Sequence, residues 1–306
     1  MTIRPIFVIG KNRSGTKWLS NTISNHSKIA CVRSHEFGGI LETNVFFNMP
    51  NTFGDLAIKE NLIGFIEAFK ATSFFKLTSL NEQVLYDFRG SDYSSFFRFM
   101  MNRYAENQKK RIWLQKTNPY LLGELCDRYP DAKFICITRD VVDNIRSTIG
   151  LHMRESEEYR KNITKEVFRY ALQTKLVHRY SSSRDRVIVL RFQDLKDKRH
   201  STCERICDFL ELPFEDTMLE DIYAKNTSFR GEIAKGSILS QRETLIIRSL
   251  YSFFKILPLK TMQCIYQFGK RIQCIRDIQN SGPVFIRGTF ELRRQEIELE
   301  KGNEPQ

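Results

Sequence analysis

A strand that turns sharply into a helix is the feature that most constrains this chain. Residues 5–9 form an apolar run that stops at Gly10, a polar turn continues to Thr16, and a helix with apolar periodicity covers residues 18–25. The start of a helix leaves backbone N–H groups without intrahelical partners, with the positive end of the peptide dipoles behind them. Gly10 and Gly15 permit a tight turn and close approach of an anion. The stretch therefore predicts a phosphate-binding loop.

The turn nearly matches a Walker A loop and then departs from it. That motif reads G-x4-G-K-[ST], with the lysine on the β- and γ-phosphates and the hydroxyl residue on Mg²⁺. Here Thr16 and Lys17 follow Gly15 in inverted order, and the cation inside the loop is Arg13. We therefore expect a phosphate loop that does not handle Mg-ATP and has no metal ligands, with a P-loop kinase or NTPase as the alternative. The expected loop ligands are Lys11, Asn12, Arg13, Ser14, Gly15, Thr16, Lys17 and Trp18.

Composition restricts the partners and the compartment. The net charge of +12 suits an anionic ligand, an acidic polymer or a negatively charged membrane face. The cations concentrate at predicted strand ends rather than in one stripe with aromatics, which argues against a nucleic-acid partner. Seven cysteines without C-x2-C pairs favour a reducing, cytoplasmic location. No apolar run approaches the roughly 18 residues that a membrane-spanning helix needs.

Strands and helices alternate along most of the chain. Buried apolar runs at 111–115, 133–138 and 186–190 are each followed by a helical pattern, which predicts parallel strands with helical crossovers. We expect a three-layer α/β fold, a mainly parallel central sheet with helices on both faces. In such a sheet, ligands bind at the carboxyl ends of the strands, so Gly10 and Arg139 are expected at one edge.

The remaining segments predict a loop, two core helices and a division of the chain into two parts. Residues 37–55 contain turn residues and predict an irregular loop over the substrate. The helices at about 56–71 and 92–109 are rich in phenylalanine at helical spacing, which indicates core rather than a ligand cage. We expect one domain over 1–240 and a basic helical C-terminal extension over 241–306. Its helix at 241–277 either closes the core or lies on anionic lipid as a peripheral membrane contact.

Three stretches, in this order, resemble the sulfotransferases that use 3′-phosphoadenosine 5′-phosphosulfate (PAPS). Residues 10–19 are similar to the family's 5′-phosphosulfate loop, although Asn12 replaces a proline and Lys17 replaces a second hydroxyl residue. Residues 189–213 resemble the segment in which R-[YF]-E-D-L precedes I-x-x-F-L-G-L-P. The resemblance covers roughly residues 5–215.

The remaining stretch, residues 137–147, resembles the family's 3′-phosphate motif. In that motif an arginine and a serine eight positions apart hold the adenosine 3′-phosphate, which here are Arg139 and Ser147. Val141 stands where the family usually has proline. The resemblance implies transfer of a sulfuryl group from PAPS to a hydroxyl or amine acceptor, with adenosine 3′,5′-bisphosphate as product. Arg13 would stabilise the leaving 5′-phosphate, and because a sulfuryl group carries little charge, no metal is expected.

The base that takes the acceptor's proton differs between two branches of the family. The cytosolic branch of the family reads K-T-H-x-P with the histidine as base, whereas this chain has Asn118 after Lys116 and Thr117, and an amide cannot accept a proton at neutral pH. The branch of Golgi-type carbohydrate and tyrosyl enzymes, which the chain resembles more, has a glutamate a little over twenty residues after the loop cation. Counted from Arg13, that spacing ends at Ser34 and His35, with Glu36 adjacent, and we expect Glu36 as base, with His35 as the alternative.

Other site residues follow from the same resemblance. Lys116 is expected to contact the bridging oxygen or the acceptor, and Lys235 with Gly236 to cover the adenine or the 3′-phosphate. The acceptor is expected to bear a hydroxyl group, as a carbohydrate, a lipid-linked sugar or a small molecule.

Overall fold

The computed structural model describes residues 3–43, 45–46, 49–155, 161–182, 185–223 and 238–269. The chain divides into two compact units, the first ending at Ile256 and the second beginning at Leu257. Lys235 and Gly236 lie outside the described residues. In the second unit a helix covers residues 259–269. The fold described below belongs to the first unit.

A parallel sheet forms the centre of the first unit. Within the described residues its strand order is β2-β5-β1-β6-β7, and every pairing is parallel. A separate antiparallel hairpin consists of β3 and β4. The strands are β1 (Arg4–Ile9), β2 (Ile29–Ala30), β3 (Arg33–Ser34), β4 (Gly39–Ile40), β5 (Ile112–Thr117), β6 (Lys133–Thr138) and β7 (Val187–Arg191).

Helices connect the strands and cover the sheet, so the expected mainly parallel α/β architecture is confirmed. Short 3-10 helices lie at Pro119–Leu121 and Asp216–Leu219. The α-helices are α1 (Thr16–Ser24), α2 (Met49–Phe53), α3 (Lys59–Lys70), α4 (Ser73–Lys76), α5 (Gln83–Tyr86), α6 (Tyr93–Asn107), α7 (Leu122–Arg128), α8 (Val141–Glu155), α9 (Ile163–Ser181), α10 (Phe192–Asp197), α11 (Arg199–Leu210) and α12 (Gln241–Ile256).

The two faces of the sheet bury two hydrophobic clusters. Successive residues of β1 alternate between them: Phe7 belongs to the cluster under α3, α6 and α7, and Val8 to the cluster under α1 and α11. This is the side-chain alternation of any strand. The phenylalanines predicted to be core are buried, since Phe65, Phe96 and Phe97 are each 0% exposed. Side chains buried on both faces therefore fix the position of the sheet, and with it the edge at which the parallel strands end.

The prediction of an irregular loop over 37–55 is wrong in part. The structure places β4 and α2 within it. Tertiary contacts stabilise β4: the Asn21 side chain of α1 accepts a hydrogen bond from the Ile40 N–H at 2.9 Å and donates one to the Gly38 carbonyl at 3.1 Å. These partners are distant in sequence, so turn composition alone does not reveal the hairpin.

The last helix of the first unit packs on α8 and α9. The ring of Phe254 lies 5.3 Å from that of Phe168, and the ring of Tyr251 lies 5.4 Å from that of Tyr170. α12 thus closes part of the core, and the predicted domain division at residue 240 stays a prediction. Among the described residues, no helix is long and apolar enough to cross a membrane.

Candidate active site

The turn after β1 lies at the carboxyl end of the sheet between two neighbouring strands. β1 pairs with β5 on one side, where Val8 is opposite Lys116, and with β6 on the other, where Ile9 is opposite Cys136. Because all three strands are parallel, the turn has Lys116 on one side and Arg139, the residue after β6, on the other. This confirms the expectation that Gly10 and Arg139 share an edge.

The turn has the tight backbone that the sequence predicts. Arg13 and Gly15 have positive φ angles of 71° and 91°. The Ser14 N–H donates to the Lys11 carbonyl at 3.0 Å, and Gly15 is the N-cap of α1 without a side-chain cap. A Cβ atom at Gly15 would come within 2.4 Å of the Phe192 ring. α1 therefore begins with amide groups directed out of the helix end, a geometry that suits an anion.

Arg139 and Ser147 both contact the loop arginine. Arg13 Nε donates to Ser147 Oγ at 3.1 Å, and Arg139 Nη1 donates to the Arg13 carbonyl at 3.1 Å. The Arg139 guanidinium lies 4.5 Å from the centroid of the Phe192 ring, and its buried Nε has no hydrogen-bond partner within the described ranges. Two groups separated by over a hundred residues from the loop thus converge on it.

Asn144 is a site residue that sequence reasoning missed. It is fully buried, and its Nδ2 donates to the Asn12 carbonyl at 3.1 Å and to Ser14 Oγ at 2.9 Å. Asn144 and Ser147 are three residues apart on α8 and so share one face of the helix. This spacing from Ser147 is the sequence signal that could have identified Asn144. Asn144 ties the loop to α8 and fixes the loop relative to Ser147.

Lys11 is engaged by α9. Its Nζ donates to Glu166 Oε2 at 3.2 Å, and both side chains are buried. Burial lowers the pKa of Lys11, and the Glu166 carboxylate opposes that shift. The loop therefore has its first lysine in an ion pair, while the predicted role of Lys11 as a phosphate ligand stays a prediction.

Lys116 lies near two other cations of the site, Lys17 and Arg13. Burial, with Lys17 and Arg13 nearby, lowers the pKa of Lys116 to about 8. The carboxylate of Glu42 contacts the Lys116 ammonium. Burial also lowers the pKa of Lys17. Three cations held together against mutual repulsion are a strong attraction for a polyanion.

Glu42 is the second residue that sequence reasoning missed. It follows Leu41, the first residue after β4, and is about half-exposed, at 51% of its side-chain surface, while its carboxylate contacts Lys116. The sequence offers no local signal for this pairing, because Glu42 and Lys116 meet only when the segment after β4 packs beside β5, where the Gln115 side-chain amide donates to the Leu41 carbonyl at 3.2 Å.

The candidate bases from the sequence lie in the turn of the β3–β4 hairpin. His35 and Glu36 are both exposed, and the His35 ring lies 4.9 Å from that of Tyr223. The hairpin is held to the loop side of the sheet because the Lys17 ammonium donates to the Phe37 carbonyl. The structure thus brings the hairpin turn to Lys17 and leaves both side chains at the surface.

Two aromatic rings also lie at this edge of the sheet. Phe192 begins α10, and its ring lies 5.8 Å from the Trp18 ring in an edge-to-face arrangement. Thr16 is buried at the first position of α1. The edge therefore combines a helix start, several cations and two partly buried rings around one turn, an arrangement that can hold a nucleotide with more than one phosphate.

Comparison with known proteins agrees with this class of site. The model of the sulfotransferase family matches residues 5–216. The sulfotransferase domain from the curacin biosynthetic pathway has 19% sequence identity and a TM-score of 0.50, over 88% of this chain and 99% of its own. The sulfotransferase domain of the Synechococcus PCC 7002 olefin synthase has 16% identity and a TM-score of 0.52, over 84% of this chain and 97% of its own. A sequence search of curated proteins finds no match.

A parallel sheet with an anion loop after its central strand defines a nucleotide-binding α/β protein. Because the family model spans more than half of the chain, the chain belongs to the sulfotransferase family. It is therefore an enzyme of the sulfotransferase class.

Proposed function

We propose that the protein transfers a sulfuryl group from PAPS to a hydroxyl or amine acceptor without a metal ion. The observation that carries the proposal is the convergence of Arg139 and Ser147 on Arg13 in the loop after β1. Two anion-binding positions at neighbouring strand ends suit a nucleotide with phosphates on both its 3′ and 5′ sides. The resemblance to the Golgi and bacterial carbohydrate-type branch belongs to the same proposal.

The side chains at this edge fit such a nucleotide. The buried Arg139 Nε is a donor without a hydrogen-bond partner in the described part of the chain. A planar guanidinium pairs well with a dianionic phosphate monoester. We assign Arg139 and Ser147 to the 3′-phosphate and the loop 11–18 to the 5′-phosphosulfate. Lys235 and Gly236 remain predicted contacts from outside the described residues.

When bound, PAPS supplies the sulfuryl group and its 5′-phosphate is the leaving group. The acceptor oxygen forms the new bond to sulfur as the bond between sulfur and the 5′-phosphate oxygen breaks. Arg13 and the amides at the start of α1 stabilise the negative charge that develops on the leaving phosphate. Lys116 lies on the other side of the loop, where its ammonium can polarise the bridging oxygen or the acceptor.

A base must accept the acceptor's proton. Glu36 and His35 remain candidates from the sequence, and Glu42 joins them because its carboxylate contacts Lys116. An ionised carboxylate beside an ammonium accepts a proton when the acceptor hydroxyl is positioned between it and the sulfur. The hairpin turn with His35 and Glu36, together with Glu42 just after the hairpin, is thus the region we assign to acceptor activation.

The acceptor and the location are further parts of this proposal. We expect a hydroxyl-bearing carbohydrate, lipid-linked sugar or small molecule, and no nucleic-acid partner. We also expect a cytoplasmic location with peripheral membrane contact through 241–277. Among the described residues, the exposed surface of α12 supports this membrane contact.

Calorimetry tests the nucleotide assignment. Adenosine 3′,5′-bisphosphate should bind in the presence of EDTA, and Arg139→Ala should weaken that binding by about 2–5 kcal/mol, because a phosphate loses its charged partner. Arg103→Ala is the matched control, since Arg103 is an exposed arginine paired with Glu106 on α6. Binding of Mg-ATP in preference to the bisphosphate would favour the kinase or NTPase alternative instead.

Product identification tests the reaction. The purified protein is incubated with PAPS carrying labelled sulfur and with a cell extract, and the labelled product is isolated. Label that moves to a hydroxyl or amine compound supports the proposed transfer. Release of label only as inorganic sulfate, at the same rate with and without extract, would overturn it.

A further inference from the structure

α12 leaves part of its hydrophobic surface uncovered in the described part of the first unit. Ile247 and Phe254 are buried, whereas Leu245, Phe253 and Ile256 are 64%, 56% and 82% exposed. Ile246 is also exposed, at 41%. Scattered apolar residues are normal on protein surfaces, but contiguous exposed patches mark interaction sites.

The four exposed apolar residues lie on one side of the helix. With about 100° between successive residues, Leu245, Ile246, Phe253 and Ile256 fall within an arc of about 100°. The buried Ile247 and Phe254 lie on the opposite side, against the core. α12 therefore has two hydrophobic surfaces, and packing within the first unit uses only one of them.

The surroundings of the exposed arc are cationic. Arg242, Arg248 and Lys255 are exposed on α12. The acidic residue of the helix, Glu243, accepts a hydrogen bond from the Ser240 N–H at 2.7 Å and lies 3.4 Å from the Lys161 ammonium. The Glu243 carboxylate is therefore paired at the start of the helix. The exposed side of α12 keeps its positively charged residues next to apolar side chains.

We propose that the exposed side of α12 is a docking surface for an anionic lipid bilayer. A helix with apolar side chains next to Lys and Arg lies in the plane of the membrane, with its apolar side in the boundary between headgroups and acyl chains. Leu245, Phe253 and Ile256 enter that boundary, and Arg248 and Lys255 contact the anionic headgroups. The net charge of +12 adds long-range attraction to the same surface.

The packing of α12 connects this surface to the cofactor site. The Tyr251 ring contacts that of Tyr170, and the Tyr170 hydroxyl donates to the Arg139 carbonyl. Docking through α12 thus holds α8, α9 and the loop after β1 at the membrane surface. The proposal goes beyond sulfuryl transfer and does not depend on it, since lipid binding is measured without PAPS or acceptor.

Co-sedimentation with vesicles tests the proposal on the full chain. We expect the protein to pellet with vesicles of phosphatidylcholine mixed with phosphatidylserine, and far less with phosphatidylcholine alone. Leu245→Ser with Phe253→Ser should lower the apparent affinity on the order of tenfold, because two side chains no longer enter the apolar boundary. Arg248→Glu with Lys255→Glu should lower it by at least about tenfold. Binding that is equal for both kinds of vesicle, or absent, would overturn the proposal.

Matched controls separate docking from general hydrophobicity and from misfolding. Ile58→Ser with Ile63→Ser changes two residues of similar exposure, 51% and 43%, at the start of and within α3. It should leave vesicle binding unchanged. Thermal melting and light scattering without lipid should be the same for every variant. If the α12 variants alone lower the melting temperature or change the mass, the surface is covered by residues beyond 269 or by a second copy, and the proposal fails.

Discussion

At the carboxyl end of the sheet, the protonation state of a single side chain depends on its neighbours. Lys116 is the clearest case, since burial beside Lys17 and Arg13 lowers its pKa from 10.5 to about 8. Its ammonium is therefore present below about pH 8 and is lost as the pH rises above that value. In the unfolded chain the ammonium persists to a higher pH, so this group destabilises the folded state most below about pH 8, and the free energy of unfolding rises with pH from about 8 to 10.5.

We expect the affinity for adenosine 3′,5′-bisphosphate to fall as the pH rises through about 8, because the anion then loses one cationic partner. Lys116→Arg should move this fall to a much higher pH, since a guanidinium stays charged up to at least about pH 12. Calorimetric titrations of both proteins across this range measure the effect. An unchanged pH profile in the arginine variant would assign the transition to another group, with Lys17 as the next candidate.

Glu42, Glu36 and His35 can be ranked as bases by the same kind of substitution. We expect Glu42→Gln to lower turnover by about 10²–10⁴-fold, because a positioned base is lost, with nearly unchanged nucleotide affinity. Glu36→Gln and His35→Ala, which change exposed residues in the hairpin turn, are the comparison and should act less. Turnover is measured by transfer of labelled sulfur. A larger loss in Glu36→Gln or His35→Ala would return the role to that residue.

At the scale of an element, the strand, turn and helix at 4–24 form the loop proposed to bind the nucleotide, and they can do so because glycine occupies two positions that other residues cannot. A Cβ atom at Gly10 would come within 2.6 Å of Thr16 and 2.8 Å of the Ile137 carbonyl. Gly15 adds a φ of 91°, which is unfavourable for any residue with a Cβ atom. Sequence spacing indicated both glycines, but it could not reveal that Phe192 fills the space beside Gly15.

We expect Gly15→Ala to lower the free energy of unfolding by about 1–3 kcal/mol and to abolish most nucleotide binding, because the strained φ and the clash with Phe192 move the loop. Gly64→Ala is the control, since Gly64 lies within α3 and a Cβ atom there meets only Phe53 at 3.8 Å. It should be neutral or stabilise by up to about 1 kcal/mol. Chemical denaturation and calorimetry check both. Full binding by Gly15→Ala would contradict the loop assignment.

At the scale of the whole molecule, the buried aromatic cluster supports the sheet from one face. The Phe96 ring lies 4.6 Å from the Phe65 ring and 5.3 Å from the Phe69 ring, in edge-to-face arrangements. The cluster also reaches the sheet, where the Phe97 ring lies 5.7 Å from the Trp113 ring. These rings fill space between helices and sheet, so their role is packing rather than recognition of an acceptor.

We expect Phe96→Ala to lower the free energy of unfolding by about 3–5 kcal/mol, since it opens a cavity in a fully buried cluster. Nucleotide affinity of the folded fraction should change little, because Phe96 belongs to the cluster on the face of the sheet opposite α1. Urea denaturation and calorimetry provide the two measurements. A variant with normal stability and altered acceptor specificity would instead indicate a binding role.

The sequence by itself determined the elements whose signals are local. The apolar run, the glycines and the helix start at 10–16 follow from turn chemistry, and the buried β6 was predicted with its observed bounds because a strand covered on both faces is continuously apolar. The placement of the turn after β1 and of Arg139 at one edge also followed, since parallel strands bring their carboxyl ends together.

Only the tertiary structure decided which side chains meet there. Asn144 bonds to the loop because α8 lies beside it, and Glu42 contacts Lys116 because the segment after β4 packs beside β5. Likewise, the sequence left open which side of α12 is buried, since the helix carries apolar residues on both sides. Such contacts join residues far apart in the chain, and their free energy comes from burial and charge in the assembled fold rather than from local spacing.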